Sequence, residues 1–228
     1  PIDLPKYRLT NGRTQAAQED FLAKNPKKGN DFFTKDPESL EAQNIQHKLL
    51  LDLVKSTNLW GYFKNTANVQ EQPLILSCQG FVVNGNRRLC AMRELYSAEP
   101  VTFAHFSHID VIILPFCSNR DIDELEAHLQ IQPEIKAEYS WISLACMLRA
   151  RQASYGYTNA QLAELYEKTE KEITKTLAQL SLVDDYLTSR GKPKQYELVE
   201  NEEYAIEQLF KTRQQEEQGR KDLITQIS

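Results

Sequence analysis

The sequence predicts an α+β fold, in which a small mixed-sheet domain at residues 1–118 precedes an all-helical domain at residues 119–228. Three observations support this prediction. Short β-rich segments occur in the first half, and apolar residues at helical spacing fill the second half. Apolar residues make up 41% of the 228-residue chain, which is enough for a packed core.

The first half contains four predicted strands, at residues 2–9, 74–76, 81–83 and 109–114. Gln79-Gly80 predicts a hairpin turn between the second and third strands, and the fourth is predicted to be buried. A surface loop is expected after residue 14. A helix is then expected, with Asp36 as its N-cap and Pro37 as its first residue.

The second half is predicted to be helical, with helices at about residues 121–130 and 137–153. Gly156 ends the second of these, and Thr158 caps the next. Residues 158–180 fit a helix-turn-helix, in which two short helices flank a polar turn. Gly191 marks a further break, and a last helix runs from about Asn201.

Charge and cysteine content narrow the class of protein. The chain has 27 basic and 32 acidic residues, which excludes a highly basic nucleic-acid binder but not a local basic site. The four cysteines form no Cys-x-x-Cys pair, so we expect buried, reduced thiols and a cytoplasmic protein. No apolar stretch is long enough for a membrane helix. Pro1 in place of methionine predicts a fragment of a longer chain, with further domains.

The strongest chemical signal is a strand-to-helix junction, Asn84-Gly85-Asn86-Arg87-Arg88. A helix N-terminus attracts anions, and Gly85 would let a ligand approach the backbone. Two arginines in a first helical turn oppose the helix dipole, and a phosphate bound by both would explain them. The alternative is a pair of exposed arginines that lie over a tight turn.

This junction resembles the Gly-Glu-Arg-Arg box of the ParB-like (ParB/sulfiredoxin) superfamily. Residues 2–13 resemble its opening strand and pocket turn, and residues 125–130 resemble the helix with its Glu-Asn-Leu-Gln motif. Residues 137–187 resemble the helical region with a helix-turn-helix that follows in ParB proteins. The resemblance covers residues 1–188, with an insertion at about 15–70.

The resemblance implies a ParB/sulfiredoxin-like α+β domain that binds a nucleoside triphosphate (CTP or ATP) with Mg²⁺. It also implies DNA as a partner and a homodimer. The implied phosphate-binding residues are Arg13, Gly85, Asn86, Arg87, Arg88 and Gln130.

The chain departs from the family motifs at two places. The box glutamate is Asn86, and the Glu-Asn pair is Ala127-His128. Glu126 lies one residue early, so Glu126 and His128 are the candidates for catalysis. The reactive cysteine of sulfiredoxin is absent from the box. No metal ligand set is predicted.

The implied recognition helix exposes Lys171, Thr174 and Lys175 as candidate DNA contacts. Residues 157–228 carry ten basic and fourteen acidic residues, which weakens DNA binding by this half in isolation. Helix packing or a protein interaction is the alternative role.

The sequence therefore favours a ParB-like nucleotide-binding, DNA-associated protein, with a role in DNA partition, DNA modification or phage defence. One alternative is an enzyme of the same fold: a nuclease, a slow NTPase or a small-molecule kinase. Another is a catalytically inactive protein-interaction module. Nucleotide binding and phosphate release distinguish these classes.

Overall fold

The chain forms two compact units that are interleaved along the sequence. The first unit consists of Pro1–Thr14 and Pro26–Ala137, and the second of Gln15–Asn25 and Glu138–Ser228. The computed structural model describes residues 1–10, 12–131 and 140–227, apart from the side chains of residues 130, 131 and 217–227.

The first unit contains a four-stranded mixed sheet with strand order β1-β3-β2-β4. Its strands are β1 (Lys6–Tyr7), β2 (Leu74–Leu76), β3 (Phe81–Asn84) and β4 (Val111–Ile113). β1 is parallel to β3, β3 is antiparallel to β2, and β2 is parallel to β4. This sheet and the helices around it confirm the predicted α+β class.

Helices form most of the remaining structure. In chain order they are α1 (Gln15–Lys24), α2 (Phe32–Lys35), α3 (Leu40–Lys55), α4 (Asn58–Lys64), α5 (Asn86–Ala98), α6 (Asn119–Ile131), α7 (Trp141–Tyr155), α8 (Asn159–Leu165), α9 (Glu170–Ser189) and α10 (Glu203–Ile227). No strand occurs after Asp121 in the described part of the chain. Within the same part, no helix has both the length and the apolar character that a membrane crossing requires.

The β2–β3 hairpin has the turn that the sequence predicts. Gly80 has a φ of +83°, and its amide donates to the carbonyl of Ser77 over 2.9 Å. The Ser77 amide donates in turn to the carbonyl of Phe81. Positive φ favours glycine at this position, which makes the local sequence sufficient to predict the turn.

β4 corrects one prediction, because it is an exposed edge strand and not a buried one. It has β2 as its strand neighbour, and all three of its side chains are exposed, up to 64% for Ile113. An apolar run of this kind is typical of a strand covered on both faces, but position at the sheet edge leaves it in contact with solvent.

The inserted region corrects two further predictions. Part of the expected surface loop is helix α1, which belongs to the second unit. The long helix α3 begins at Leu40 and not at Pro37, because Ser39 is its N-cap and accepts from the amide of Ala42. Asp36 instead closes a turn, accepting from the amide of Glu38.

The second unit packs α1 and α7 with α9 around an apolar core that includes Ile142, Leu180 and Val183. A polar cluster supports this packing. Arg149 of α7 donates to Asp184 of α9 and to the hydroxyl of Tyr196, and it pairs with Glu19 of α1 over 3.3 Å. The Tyr196 hydroxyl donates to Asp184 over 2.6 Å. Three helices are therefore joined by one cationic side chain.

The α1 side of this unit contains a buried acid, Asp20. Its Oδ2 accepts from the amide of Glu197 over 3.1 Å, and its Oδ1 is buried with no hydrogen-bond partner among the described residues. Burial raises the pKa of Asp20 to about 7. Between about pH 4 and about pH 7, the folded protein therefore keeps a proton on Asp20 that the unfolded chain has lost.

We expect the free energy of unfolding to fall by about 1–3 kcal/mol as pH rises from about 4 to about 7, because the folded state binds more protons over that range. Asp20→Asn keeps an oxygen for the Glu197 amide and cannot ionise. This variant should therefore be more stable than the natural chain at pH 8, with the difference shrinking towards pH 4. Urea unfolding at several pH values measures this.

The matched control is Asp52→Asn, which removes a carboxylate from an exposed position of α3. The free energy of unfolding of this variant should vary with pH as that of the natural chain does. A stability gain of the same size in both variants, or an unchanged profile in Asp20→Asn, would assign the pH dependence to other groups.

Candidate functional site

Gly85 joins the end of β3 to the start of α5. It has a φ of +104°, and a Cβ at this position would lie 2.4 Å from Cδ2 of Leu74. Both the backbone angle and the neighbouring side chain therefore require glycine. The fold alone accounts for this residue, whether or not a ligand also approaches it.

Asn86, the first residue of α5, is buried and joins three segments. Its Nδ2 donates to the carbonyl of Val82 over 2.8 Å, and its Oδ1 accepts from the amide of Arg8 over 3.4 Å. The side chain thus connects the residue after β1 to β3. The sequence predicted a phosphate contact for this amide, and the structure shows that one of its hydrogens is directed to the protein backbone.

Arg88 is half-buried, which corrects the alternative of two exposed arginines over a tight turn. Its guanidinium donates to the carbonyl of Gln72 over 2.7 Å and to Oδ1 of Asn84 over 3.2 Å. Burial lowers its pKa from the ordinary value for arginine. The half-buried Arg88 side chain therefore joins the first turn of α5 to the end of β3 and to the segment before β2.

Arg87 and Arg13 are both half-buried and lie in segments that follow parallel strands. Arg87 occupies the first turn of α5, after β3, and Arg13 lies in the short helical turn Gly12–Thr14, after β1. β1 and β3 are adjacent and parallel, so their carboxyl ends share one edge of the sheet. In α/β proteins, ligands bind at such an edge.

Arg8 is the central side chain of this edge, although it was not among the site residues predicted from the sequence. It is only 8% exposed, and its guanidinium contacts two carboxylates of α6. Nη1 donates to Oε2 of Glu126 over 2.8 Å, and Nη2 donates to Oδ1 of Asp123. The available signal was the spacing of Asp123 and Glu126, three residues apart on the buried face of a helix.

This ion group explains why α6 belongs to the first unit and not, as predicted, to the domain that begins at residue 119. Glu126 is 1% exposed and Asp123 is also buried, and both carboxylates face Arg8. The helix also packs against β3. A helix whose buried charges are neutralised in one unit is held to that unit.

The two candidates for catalysis are not brought together. Glu126 faces Arg8, while His128 is exposed and lies about 200° further around α6 by the helical repeat. Ala127, between them, is buried. Gln130 belongs to α6, but its side chain lies outside the described part.

The candidate DNA contacts lie on α9, the second helix of the helix-turn-helix. Capping boxes begin both α8, at Thr158, and α9, at Thr169. Lys171 is exposed. Thr174 accepts from Nδ2 of Asn159 of α8 and donates to the carbonyl of Glu170. Lys175 pairs with Glu207 of α10 over 2.6 Å.

No protein-family model, curated protein or solved structure matches this chain. No group of three or more histidine, cysteine or acidic side chains in the described residues could hold a metal. The geometry of each unit is therefore the basis for inferring function.

The Arg8 ion group predicts a specific stability effect. Glu126→Ala removes one of two carboxylates from a buried guanidinium and should lower the free energy of unfolding by about 2–4 kcal/mol. Glu124→Ala, on the same helix, breaks a pair with the exposed Arg120 and should cost less than about 1 kcal/mol. Urea unfolding of both variants makes the comparison, and equal losses would mean that Glu126 has no special role.

Proposed function

We propose that this chain is a ParB-like, nucleotide-binding and DNA-associated protein. The observation that supports this most is the convergence of three sequence motifs at one edge of the sheet. Arg8 precedes the pocket turn, Asn86 belongs to the box and Glu126 lies beside the second motif. Arg8 contacts both Asn86 and Glu126, although Arg8 and Glu126 are 118 positions apart.

The phosphate site of this proposal is the N-terminal end of α5, where Arg87 lies in the first turn. Unpaired amides and the helix dipole favour an anion there, and a guanidinium binds phosphate in a bidentate manner. Arg13 follows the neighbouring parallel strand and supplies a second cation at the same sheet edge. A nucleoside triphosphate, CTP or ATP, is the ligand class that the resemblance implies.

The described residues do not fit a Mg²⁺ ion held by protein carboxylates. Glu126, the acidic candidate, is buried against Arg8, and His128 is a poor ligand for a hard cation. In this proposal Arg87 and the amides of α5 bind the phosphates without help from an α6 carboxylate. Their role is binding, and this favours a nucleotide-binding module over a nuclease, an NTPase or a kinase.

DNA association is assigned to the second unit through α8 and α9. Each helix has a side-chain cap that fixes where it starts, and a four-residue turn separates them. This arrangement is typical of a helix-turn-helix, in which the second helix contacts the major groove. Lys171, Thr174 and Lys175 are the residues that we propose to contact DNA. We propose that the protein acts as a homodimer in DNA partition, DNA modification or phage defence.

Arg87→Ala tests the nucleotide site. We expect calorimetric titration with CTP or ATP, with and without Mg²⁺, to show affinity reduced about 10- to 100-fold, the effect of losing a charge-assisted phosphate contact. The control is Arg120→Ala, which removes an exposed arginine paired with Glu124 and should bind as the natural chain does. Equal affinity in both variants would exclude Arg87 from the site, and no binding of any nucleotide by the natural chain would refute the proposal.

Phosphate release separates binding from catalysis. We expect the natural chain to release phosphate from the four common nucleoside triphosphates slowly or not at all, with or without DNA, because the Glu126 carboxylate is held by Arg8. Glu126→Gln should then leave the rate unchanged. Fast release by the natural chain that disappears in a folded Glu126→Gln protein would favour the enzyme.

A further inference from the structure

A groove between α9 and α10 contains the side chains that we propose to contact DNA. Its volume is about 770 Å³. Lys171, Thr174 and Lys175 line it from α9, and Phe210 and Arg213 line it from α10. The face of α9 that carries the proposed DNA contacts is therefore next to α10.

Two ion pairs cross from α9 to α10 at this groove. Lys175 pairs with Glu207 over 2.6 Å, and Asp185 pairs with Arg213 over 3.7 Å. Lys211, one turn further along α10, also lies 3.4 Å from Glu207. The hydrogen bond from Lys175 and the nearby charge of Lys211 lower the pKa of Glu207, so its carboxylate is ionised at neutral pH.

We propose that α10 is an intramolecular competitor for DNA, with the Glu207 carboxylate bound to Lys175 at the place where a DNA phosphate would bind. This inference rests on the proposed DNA association through α9. A carboxylate and a phosphate oxygen make the same charge-assisted hydrogen bond to an ammonium group. The protein therefore binds DNA with Lys175 only after the pair with Glu207 has broken.

Competition of this kind weakens DNA binding and alters its dependence on salt. Each lysine that neutralises a phosphate adds about 0.9 to the slope of log affinity against log salt concentration. A lysine paired with an internal carboxylate adds less to this slope, because it exchanges the carboxylate for a phosphate and releases fewer salt ions. The salt slope therefore reports whether Lys175 is occupied by Glu207.

Glu207→Gln tests this, with Glu216→Gln as the matched control. Both substitutions remove one negative charge from α10. Glu216 is exposed and nine residues further on, which places it on the opposite side of the helix. The measurement is binding of a fluorescein-labelled duplex DNA of mixed sequence, by anisotropy, at several salt concentrations.

Relative to the control, Glu207→Gln should tighten DNA binding about two- to fivefold, the range of an exposed ion pair, and steepen the salt slope by about 0.9. In a Lys175→Gln background, Glu207→Gln should have no more effect than Glu216→Gln. Equal behaviour of Glu207→Gln and Glu216→Gln in an otherwise DNA-binding protein would overturn the competition alone. Absence of DNA binding by every variant at low salt would overturn the proposed DNA association itself.

Discussion

A buried guanidinium requires buried anions, and Arg8 meets this requirement with two carboxylates from a single helix. The requirement fixes the position of α6, because Asp123 and Glu126 must both face the residue that follows β1. It also fixes the end of β1, since the amide of Arg8 donates to Asn86 at the start of α5. Three segments that are distant in sequence therefore share one edge of the sheet.

The strand-to-helix junction shows how residues of one motif divide their roles. Gly85 is required by a backbone angle and by Leu74, while Asn86 and Arg88 make hydrogen bonds within the unit. These contacts hold the first turn of α5 in place beside the turn after β1. The precision of any phosphate site here would come from this internal bracing, because a ligand-binding group is effective only when its backbone is held.

The sequence was most informative where structure depends on neighbouring residues. The hairpin turn at Gly80, the end of α7 at Gly156 and the cap of α8 at Thr158 follow from local chemistry. The exposure of β4 could not be foreseen, because an apolar run does not reveal whether its strand lies at an edge. The same holds for the packing of α1 in the second unit, which depends on partners more than a hundred positions away.

The candidate site was predictable in part for the same reason. Gly85, Arg87 and Arg88 lie within a few residues, so the junction could be recognised as a unit. Arg8 carries no local signal of its own, since a single arginine after a short strand is usually exposed. The spacing of Asp123 and Glu126 places two carboxylates on one helix face, but only the fold identifies Arg8 as the cation between them. Likewise, nothing near Lys175 in the sequence indicates that Glu207 is its partner.

The placement of α1 in the second unit has a consequence for biosynthesis. Glu19 meets Arg149 across 130 positions, and Asp20 meets the amide of Glu197 across 177. At roughly 5–20 residues per second, a ribosome synthesises Glu197 roughly 10–35 seconds after Asp20. The segments joined by Arg8 are complete once α6 has emerged, whereas α1 waits for nearly the whole chain. Translation therefore separates the assembly of the two units in time, with the sheet-containing unit first.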